Sequence, residues 1–320
     1  MKSVKTLLLF LMVALPMLAS SSNLRGDVNQ DNSVNMVDVT SFISYLLTGN
    51  ASNISMINAD SNLDGTVNLA DLTSLIDYLL TAEWPGTEPV VETFVVNGVT
   101  FKMVAVDGGT FMMGASDDDP DAFDREKPAH QVTLSSFSIA ETEVTQALWV
   151  AVMGSNPSNF QYGLNYPVEK VSWDDCQTFI TKLNQMTGKA FRLPTEAEWE
   201  FAARGGNKSH GYTYAGSDRI SEVGWYNVNV TITSTFPIAT KAPNELGLYD
   251  MSGNVCEWCQ DYFGDYSAAA QTNPTGPSWG SYRVYRGGGW SGMAVARRVA
   301  YRGYSIPTNK EHYKGLRLAL

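Results

Sequence analysis

The chain contains an internal repeat at a spacing of 33 residues, and this constrains its N-terminal part more than any other feature. Asp27-Val-Asn29-Gln-Asp31-Asn32-Ser33-Val-Asn35-Met-Val-Asp38 is followed in register by Asp60-Ser-Asn62-Leu-Asp64-Gly65-Thr66-Val-Asn68-Leu-Ala-Asp71. Oxygen-bearing side chains fall at the first, third, fifth, ninth and twelfth places of both segments. The seventh place, Ser33 or Thr66, offers a backbone carbonyl. A hard cation such as calcium takes six to eight oxygens, and a twelve-residue loop with this spacing converges that many. The sixth place requires a left-handed turn, which Gly65 adopts freely and Asn32 tolerates. Asp38 and Asp71 end the loops where a longer Glu is usual, so the closing arm is short. Residues 23 to 88 carry seven Asp and two Glu against one Arg. Two such loops repel themselves without metal, so calcium and folding are expected to be coupled.

Each loop leads into an amphipathic helix. Val39, Phe42, Ile43, Leu46 and Leu47 lie at helical spacing, as do Leu72, Leu75, Ile76, Leu79 and Leu80, with Tyr45 and Tyr78 also in register. The first loop has no comparable helix before it. These paired half-EF-hands resemble a type I dockerin module. That resemblance implies a small all-α calcium-binding unit over residues 23–83 that docks a cohesin domain on another protein. Recognition residues of the family often lie at places ten and eleven, here Met36-Val37 and Leu69-Ala70.

Ahead of this unit, Lys2 and Lys5 precede an apolar run from Leu7 to Leu18 and the small residues Ala19 to Ser22. That pattern reads as a signal peptide over residues 1–22, the run being short for a membrane span. The expected location is secreted or attached to the cell surface, with no membrane span after signal removal. The whole chain of 320 residues has a net charge of −11. An acidic surface argues against nucleic acid as a partner, because phosphate binding needs basic groups. Three Cys and three His leave little for a zinc cluster or a disulfide framework.

Trp84-Pro-Gly-Thr-Glu-Pro89 opens a linker over residues 84–93. A large domain follows over residues 94–320, with strand-like alternation from Phe94 and an acidic loop at Asp117–Asp124. Helices are expected near Val144–Met153, after Ser172 and after Thr195, where Thr195 and Glu198 form a capping box and Gly205-Gly206 ends the helix. Seven ordered motifs carry a second resemblance. They are Gly108-Gly-Thr-Phe-Met-Met-Gly114, Glu141-Thr-Glu-Val-Thr145, Pro167-Val-Glu-Lys-Val-Ser-Trp173, Arg192-Leu-Pro-Thr-Glu-Ala-Glu-Trp-Glu200, Gly247 to Trp258, Arg286-Gly-Gly-Gly-Trp290 and Gly315-Leu-Arg-Leu318. Together they resemble the formylglycine-generating enzyme (sulfatase-modifying factor) family. The implied fold is an irregular α+β fold, a variant of the C-type lectin-like fold.

The family enzyme oxidises a substrate Cys with O₂ and a copper(I) ion held by two thiolates, as suits a soft cation. Those thiolates lie two and seven residues after the aromatic residue that closes the Arg-Gly-Gly motif. Here the two places hold Gly292 and Arg297, and the family Ser is Gly289. The resemblance therefore implies the fold without its catalyst, and no copper is expected. Cys256 and Cys259 form a CxxC, read as a disulfide or as buried thiols in preference to a redox pair, away from the substrate cleft. Cys176 falls on an apolar helix face.

The resemblance also implies a structural calcium held by the side chains of Asp250 and Glu257 and the carbonyls of Gly253 and Val255; the alternative makes the two acids turn and surface residues. The family's other calcium site lacks its Asn in Glu222-Val-Gly-Trp225. Gly276-Pro-Ser-Trp-Gly280 fits a hydrolase elbow in letters only, since no strand precedes it. His130, His210 and His312 are isolated.

Three functions compete. One is a non-catalytic domain binding a glycan or peptide through residues 291–314, with Tyr301, Tyr304, Ile306, His312 and Tyr313 as contacts and Trp290 in the core. Another is a divergent oxidoreductase. The third is a display component of a larger assembly.

Overall fold

The computed structural model describes residues 24–62, 65–81, 90–227 and 233–320. The expected signal segment, Asp64 and residues 84–89 of the linker lie outside the described residues. The chain divides into two compact units between residues 88 and 89.

The small unit is helical. Its elements are α1 (Met36–Thr48), the single turn α2 (Met56–Ala59) and α3 (Leu69–Thr81). Asn35 starts α1 by accepting from Val37 N, and Asp38 returns a bond to Asn35 N at 2.9 Å. Gly49, at φ 69°, ends it by donating to Tyr45 O. Val28, Val39, Phe42, Ala59, Leu72 and Leu75 form the buried core. Only part of each expected apolar face goes inside. Leu47 and Leu80 are 81% and 78% exposed, and Ile43 and Ile76 are also exposed. One facing helix covers a single stripe, so apolar side chains beyond that stripe remain in solvent.

The large unit mixes small sheets with short helices. Strands β1 (Val91–Val96), β2 (Val99–Val106) and β5 (Phe137–Ala140) form one antiparallel sheet. The β1–β2 turn is Asn97-Gly98, both at positive φ, as a tight hairpin requires. β1 begins three residues before the expected Phe94, because Val91, Glu92 and Thr93 pair with Val104, Met103 and Lys102. β3 (Gly109–Met113) pairs antiparallel with β4 (His130–Leu134), and β4 runs parallel to the two-residue β7 (Gln271–Thr272). The third sheet has the order β10 (Lys314–Gly315), β6 (Cys256–Tyr262), β8 (Arg283–Arg286), β9 (Gly303–Ser305).

The three expected helices are present as α4 (Gln146–Met153), α5 (Trp173–Thr187) and α6 (Glu196–Ala203); a short α7 spans Ile220–Val223. Thr145, Ser172 and Thr195 cap the first three, and Ser172 and Thr195 do so with full capping boxes. Phe179 of α5 stacks on Trp149 of α4, ring centroids 4.9 Å apart. Buried arginines tie the irregular loops together by donating to loop carbonyls. Arg286 donates to Ala300 O and Tyr301 O, Arg302 to Arg125 O and Gly264 O, and Arg317 to Ala140 O and Tyr249 O. Loop backbone buried away from water needs such partners.

Candidate functional site

In the first loop, Asp27 and Asp38 are buried, at 1% and 0% exposure, and point into the loop. Asp27 accepts from Asp31 N and Asn32 N, both at 3.0 Å. Asp38 accepts from Asn29 N at 3.1 Å and Asn35 N at 2.9 Å. Asn29 and Asp31 join each other by an amide–carboxylate bond of 2.9 Å, and Asp31 accepts from Ser33 N. The second loop repeats the pattern. Asp71 accepts from Asn62 N and Asn68 N, and Asp60 from Gly65 N. Asn32 and Gly65 take the left-handed conformation expected of the sixth place, at φ 66° and 83°.

Among the described residues, Asp27, Asp31 and Asp38 have no basic partner. The buried Asp27 and Asp38, held only by neutral N–H groups, fit a divalent cation, which would relieve their desolvation, and the exposed Asp31 adds a third carboxylate. Asn35 and Asn68 have a different engagement from the expected one. Their side-chain oxygens accept from Val37 N and Ala70 N, each at 2.8 Å, so they start the helices. Thr66 Oγ1 accepts from Asn68 Nδ2.

In the large unit the two expected carboxylate ligands, Asp250 and Glu257, lie near each other, and Glu257 is engaged by an arginine. Glu257 is fully buried, and its carboxylate is clasped by Arg317 through Nε and Nη2 at 2.7–3.0 Å while accepting from Trp199 Nε1 at 2.6 Å. A carboxylate already neutralised by a guanidinium does not fit a metal-ligand role, so Glu257 is neither a ligand nor a surface residue. Val255 donates its N–H to Glu143. Asp250, also buried, accepts from Ala239 N through Oδ2, while Oδ1 has no partner among the described residues. Gly253, at φ 111°, packs so closely on Trp225 that an added Cβ would lie 2.3 Å from Trp225 O.

Burial, followed by repulsion from Asp250 and Glu257, pushes the Glu143 carboxyl well above its ordinary range. Burial holds Asp250 up at about 6. Arg317 is thus the resident cation among three acids. Sequence reasoning missed Glu143 and Arg317. For Arg317 the available signal was a lone charge between two leucines, whereas Glu143, two residues after Glu141, carried no such signal.

The two places that hold thiolates in the related enzyme are neighbours in space. A Cβ added to Gly292 would lie 3.0 Å from Arg297 Nη1. Arg297 is 2% exposed, and its guanidinium donates to the carbonyls of Gly289, Ser291 and Met293. Neither residue offers copper(I) a soft donor, and the guanidinium occupies the space between them, so the site does not fit that metal.

Cys256 lies close enough for Arg297 to act on its thiol, contrary to the expectation that the CxxC sits away from this region. Cys256 and Cys259 are buried free thiols three residues apart on β6, and so point to opposite faces. Burial pushes Cys256 up to about 12 and Cys259 well above its usual range, which leaves both unreactive. Cys176 is buried in the core as expected.

The expected ligand contacts separate into several settings. Tyr301 meets Phe123 edge-on under the Arg125 guanidinium. Tyr304 is exposed and packs on Phe263 and Tyr282, ring centroids 4.1 and 5.2 Å away. Ile306 is exposed. His312 lies among Phe160, Trp290 and Tyr313. Trp290 is buried and donates to His312 O.

The profile of the sulfatase-modifying factor enzyme 1-like domain matches residues 88–320, and that of the dockerin type I domain matches residues 25–80. The chain belongs to the sulfatase-modifying factor family and carries a type I dockerin domain ahead of that domain. It is 33% identical to the chaperone protein LppX of Paenibacillus barcinonensis, over 64% of this chain and 84% of that protein. It is 33% identical to the formylglycine-generating enzyme of Thermomonospora curvata, over 68% of this chain and 92% of the enzyme. Against the serine/threonine-protein kinase pkn1 of Chlamydia pneumoniae, identity is 31% over 72% of this chain, which spans only 41% of that protein. Among solved structures, Treponema denticola variable protein 1 superposes with a TM-score of 0.67 at 32% identity, over 72% of this chain and 99% of that one. Among the described residues no helix is long and apolar enough to cross a membrane.

Proposed function

We propose that this is an exported protein whose dockerin unit, loaded with calcium, tethers it to a cohesin domain. Its large domain binds a glycan or peptide and has no formylglycine-generating activity. Export rests on residues 1–22. Cohesin docking is supported by the exposed Met36, Val37 and Leu69 at places ten and eleven of the loops, apolar side chains left in solvent beside the calcium loops. Asp27, Asn29, Asp31, the Ser33 carbonyl and Asp38 would hold one calcium. Asp60, Asn62, Asp64, the Thr66 carbonyl and Asp71 would hold the other. The metal would neutralise the loops and fix them in one conformation.

The observation that carries the non-catalytic reading is the buried guanidinium of Arg297 beside Gly292. It closes the place where a thiolate pair would hold copper. Ligand binding is supported by the exposed aromatic surface of Tyr304 and Tyr282 with Ile306, since aromatic faces stack on sugar rings or peptide groups. The test is copper analysis of the purified protein, together with oxygen uptake in the presence of a Cys-containing sulfatase peptide. The expected result is no bound copper and no aldehyde. One Cu(I) per chain with aldehyde formed on the peptide would overturn the reading.

A further inference from the structure

A cavity of about 430 Å³ opens beside the N-terminus of α6, walled by the end of β6 and by residues 264–277. It contains neither Gly292 nor Arg297. Its volume lies within the usual range for small-ligand sites.

The guanidinium in its wall is already matched, and an exposed carboxylate, Asp265, also lines it. Glu196 is held by Arg302 through two bonds, of 2.7 and 2.6 Å, and accepts from the Tyr266 hydroxyl at 3.2 Å. The other Arg302 amine donates to Arg125 O and Gly264 O. An anion finds no unengaged guanidinium here.

One buried polar group does remain. Asp261, 4% exposed, accepts from Glu196 N at 2.9 Å through Oδ2, while Oδ1 has no protein hydrogen bond among the described residues. Burial and the neighbouring Glu196 push this carboxyl up to about 8, so near neutrality it is an uncharged acid with one proton to donate. The chain approaches it closely. Gly276, at φ 70°, lies where a Cβ would be 2.9 Å from Asp261 Cβ, which brings the 273–277 loop over the acid. The Tyr262 and Tyr266 rings and the flat faces of Pro274 and Pro277 also line the space, with Gln271 and Asn273 as neutral amides.

We propose that this cavity binds the end of a neutral oligosaccharide. Sugar hydroxyls both donate and accept, as do a protonated carboxyl and side-chain amides, and the apolar face of a pyranose stacks on aromatic and proline rings. The proposal rests on the reading of the large domain as a binding module, and it moves the ligand from the Tyr304 surface to the adjoining cavity.

The test screens the full chain on an array of neutral and acidic oligosaccharides and then titrates the strongest neutral hit by calorimetry. Ser267 and Thr275 are exposed residues at the cavity, so Ser267→Trp and Thr275→Trp fill its mouth without disturbing the core. Each is expected to lower affinity at least tenfold with Tm unchanged, while Tyr162→Ala, at an exposed aromatic outside the cavity wall, binds as the parent does. Parent-like binding by both Trp variants with a tenfold loss in Tyr304→Ala would overturn the cavity and leave the binding reading standing. Absence of any neutral hit on the array would overturn the cavity proposal together with the glycan form of that reading.

Discussion

The two units deal with buried carboxylates in opposite ways. In the dockerin unit Asp27 and Asp38 are buried against backbone N–H groups alone. In the large domain four buried acids have their own guanidinium: Glu126 has Arg298, Glu196 has Arg302, Glu200 has Arg204 and Arg286, and Glu257 has Arg317, while Glu143, Glu169, Asp250 and Asp261 are held by neutral donors. The first arrangement leaves carboxylates that a cation from solution would complete, in a domain type that typically binds calcium. The second is complete when the chain folds. On the proposed reading the small unit's stability would depend on calcium, while the guanidinium pairs of the large domain are supplied by the chain itself.

The most direct way to break this contrast is to remove calcium. Each site held at about a hundred times its Kd contributes about 2.7 kcal/mol, so stripping two sites costs on the order of 5 kcal/mol. Among the described residues the small unit buries six apolar side chains, with a few more packed against them, too small a core to absorb that loss. Chelation is expected to abolish its thermal transition, followed by calorimetry, while the transition of the large domain stays in place. A shift of both transitions by equal amounts would show that the units do not differ in this way.

The counterpart in the large domain is Arg317→Met. It leaves Glu257 buried without its cation, beside Glu143 and Asp250. Breaking a buried pair from one side costs about 3–5 kcal/mol. The expected result is a large drop in the denaturant midpoint of the large domain, which added calcium does not restore. Recovery by calcium would mean that a metal can replace the guanidinium among these acids.

The loops were readable from the sequence because a cation site needs particular atoms at particular intervals, and a repeat displays the intervals twice. The helix caps at Ser172 and Thr195 were readable for the same reason, being local. The partners of Glu257 were not, because Arg317 lies sixty residues away and pairs with it only after the sheets form. The expected metal role for Glu257 came from a motif, and a motif does not specify what lies opposite it. The exposure of Leu47 and Leu80 was hidden similarly, since helical spacing defines a stripe but not the width its neighbours cover. Arg297 was legible as a missing thiolate; that it fills the gap with its own guanidinium required the fold.

A smaller effect comes from pH. Burial holds Asp261 up at about 8 and Asp250 up at about 6, both above the ordinary value near 4. Acids raised on folding bind protons more readily in the native state, so their effect on stability is most favourable at low pH and is lost as pH rises through the folded value. Between pH 6 and 7, Asp261 alone should lower large-domain stability by about 1.4 kcal/mol. Asp261→Asn should flatten that slope in a pH series of denaturant melts. The small unit should respond in the other direction at low pH, where protons compete with calcium for the loop carboxylates.

The finest comparison uses two helix caps of the same kind. Thr195 caps α6 and Asn35 caps α1, each within a capping box, and either change to Ala should cost about 1 kcal/mol. The consequences should differ, because the caps are connected to different things. Thr195 meets Glu198, whose carboxylate is already fixed by two bonds from Arg192, so the rest of the box stays in position when the threonine is lost. Asn35 meets Asp38, which also closes the calcium loop through Asn29 N. Removing the asparagine side chain therefore loosens the start of a helix and the arm of a metal site together. Thr195→Ala should lower the large-domain Tm by a few degrees at any calcium concentration. Asn35→Ala should leave the small unit near parental stability in excess calcium and raise the calcium concentration needed to fold it. If both variants shift Tm equally and independently of calcium, Asn35 is only a cap, and the first loop and its helix are less tightly linked than their shared aspartate implies.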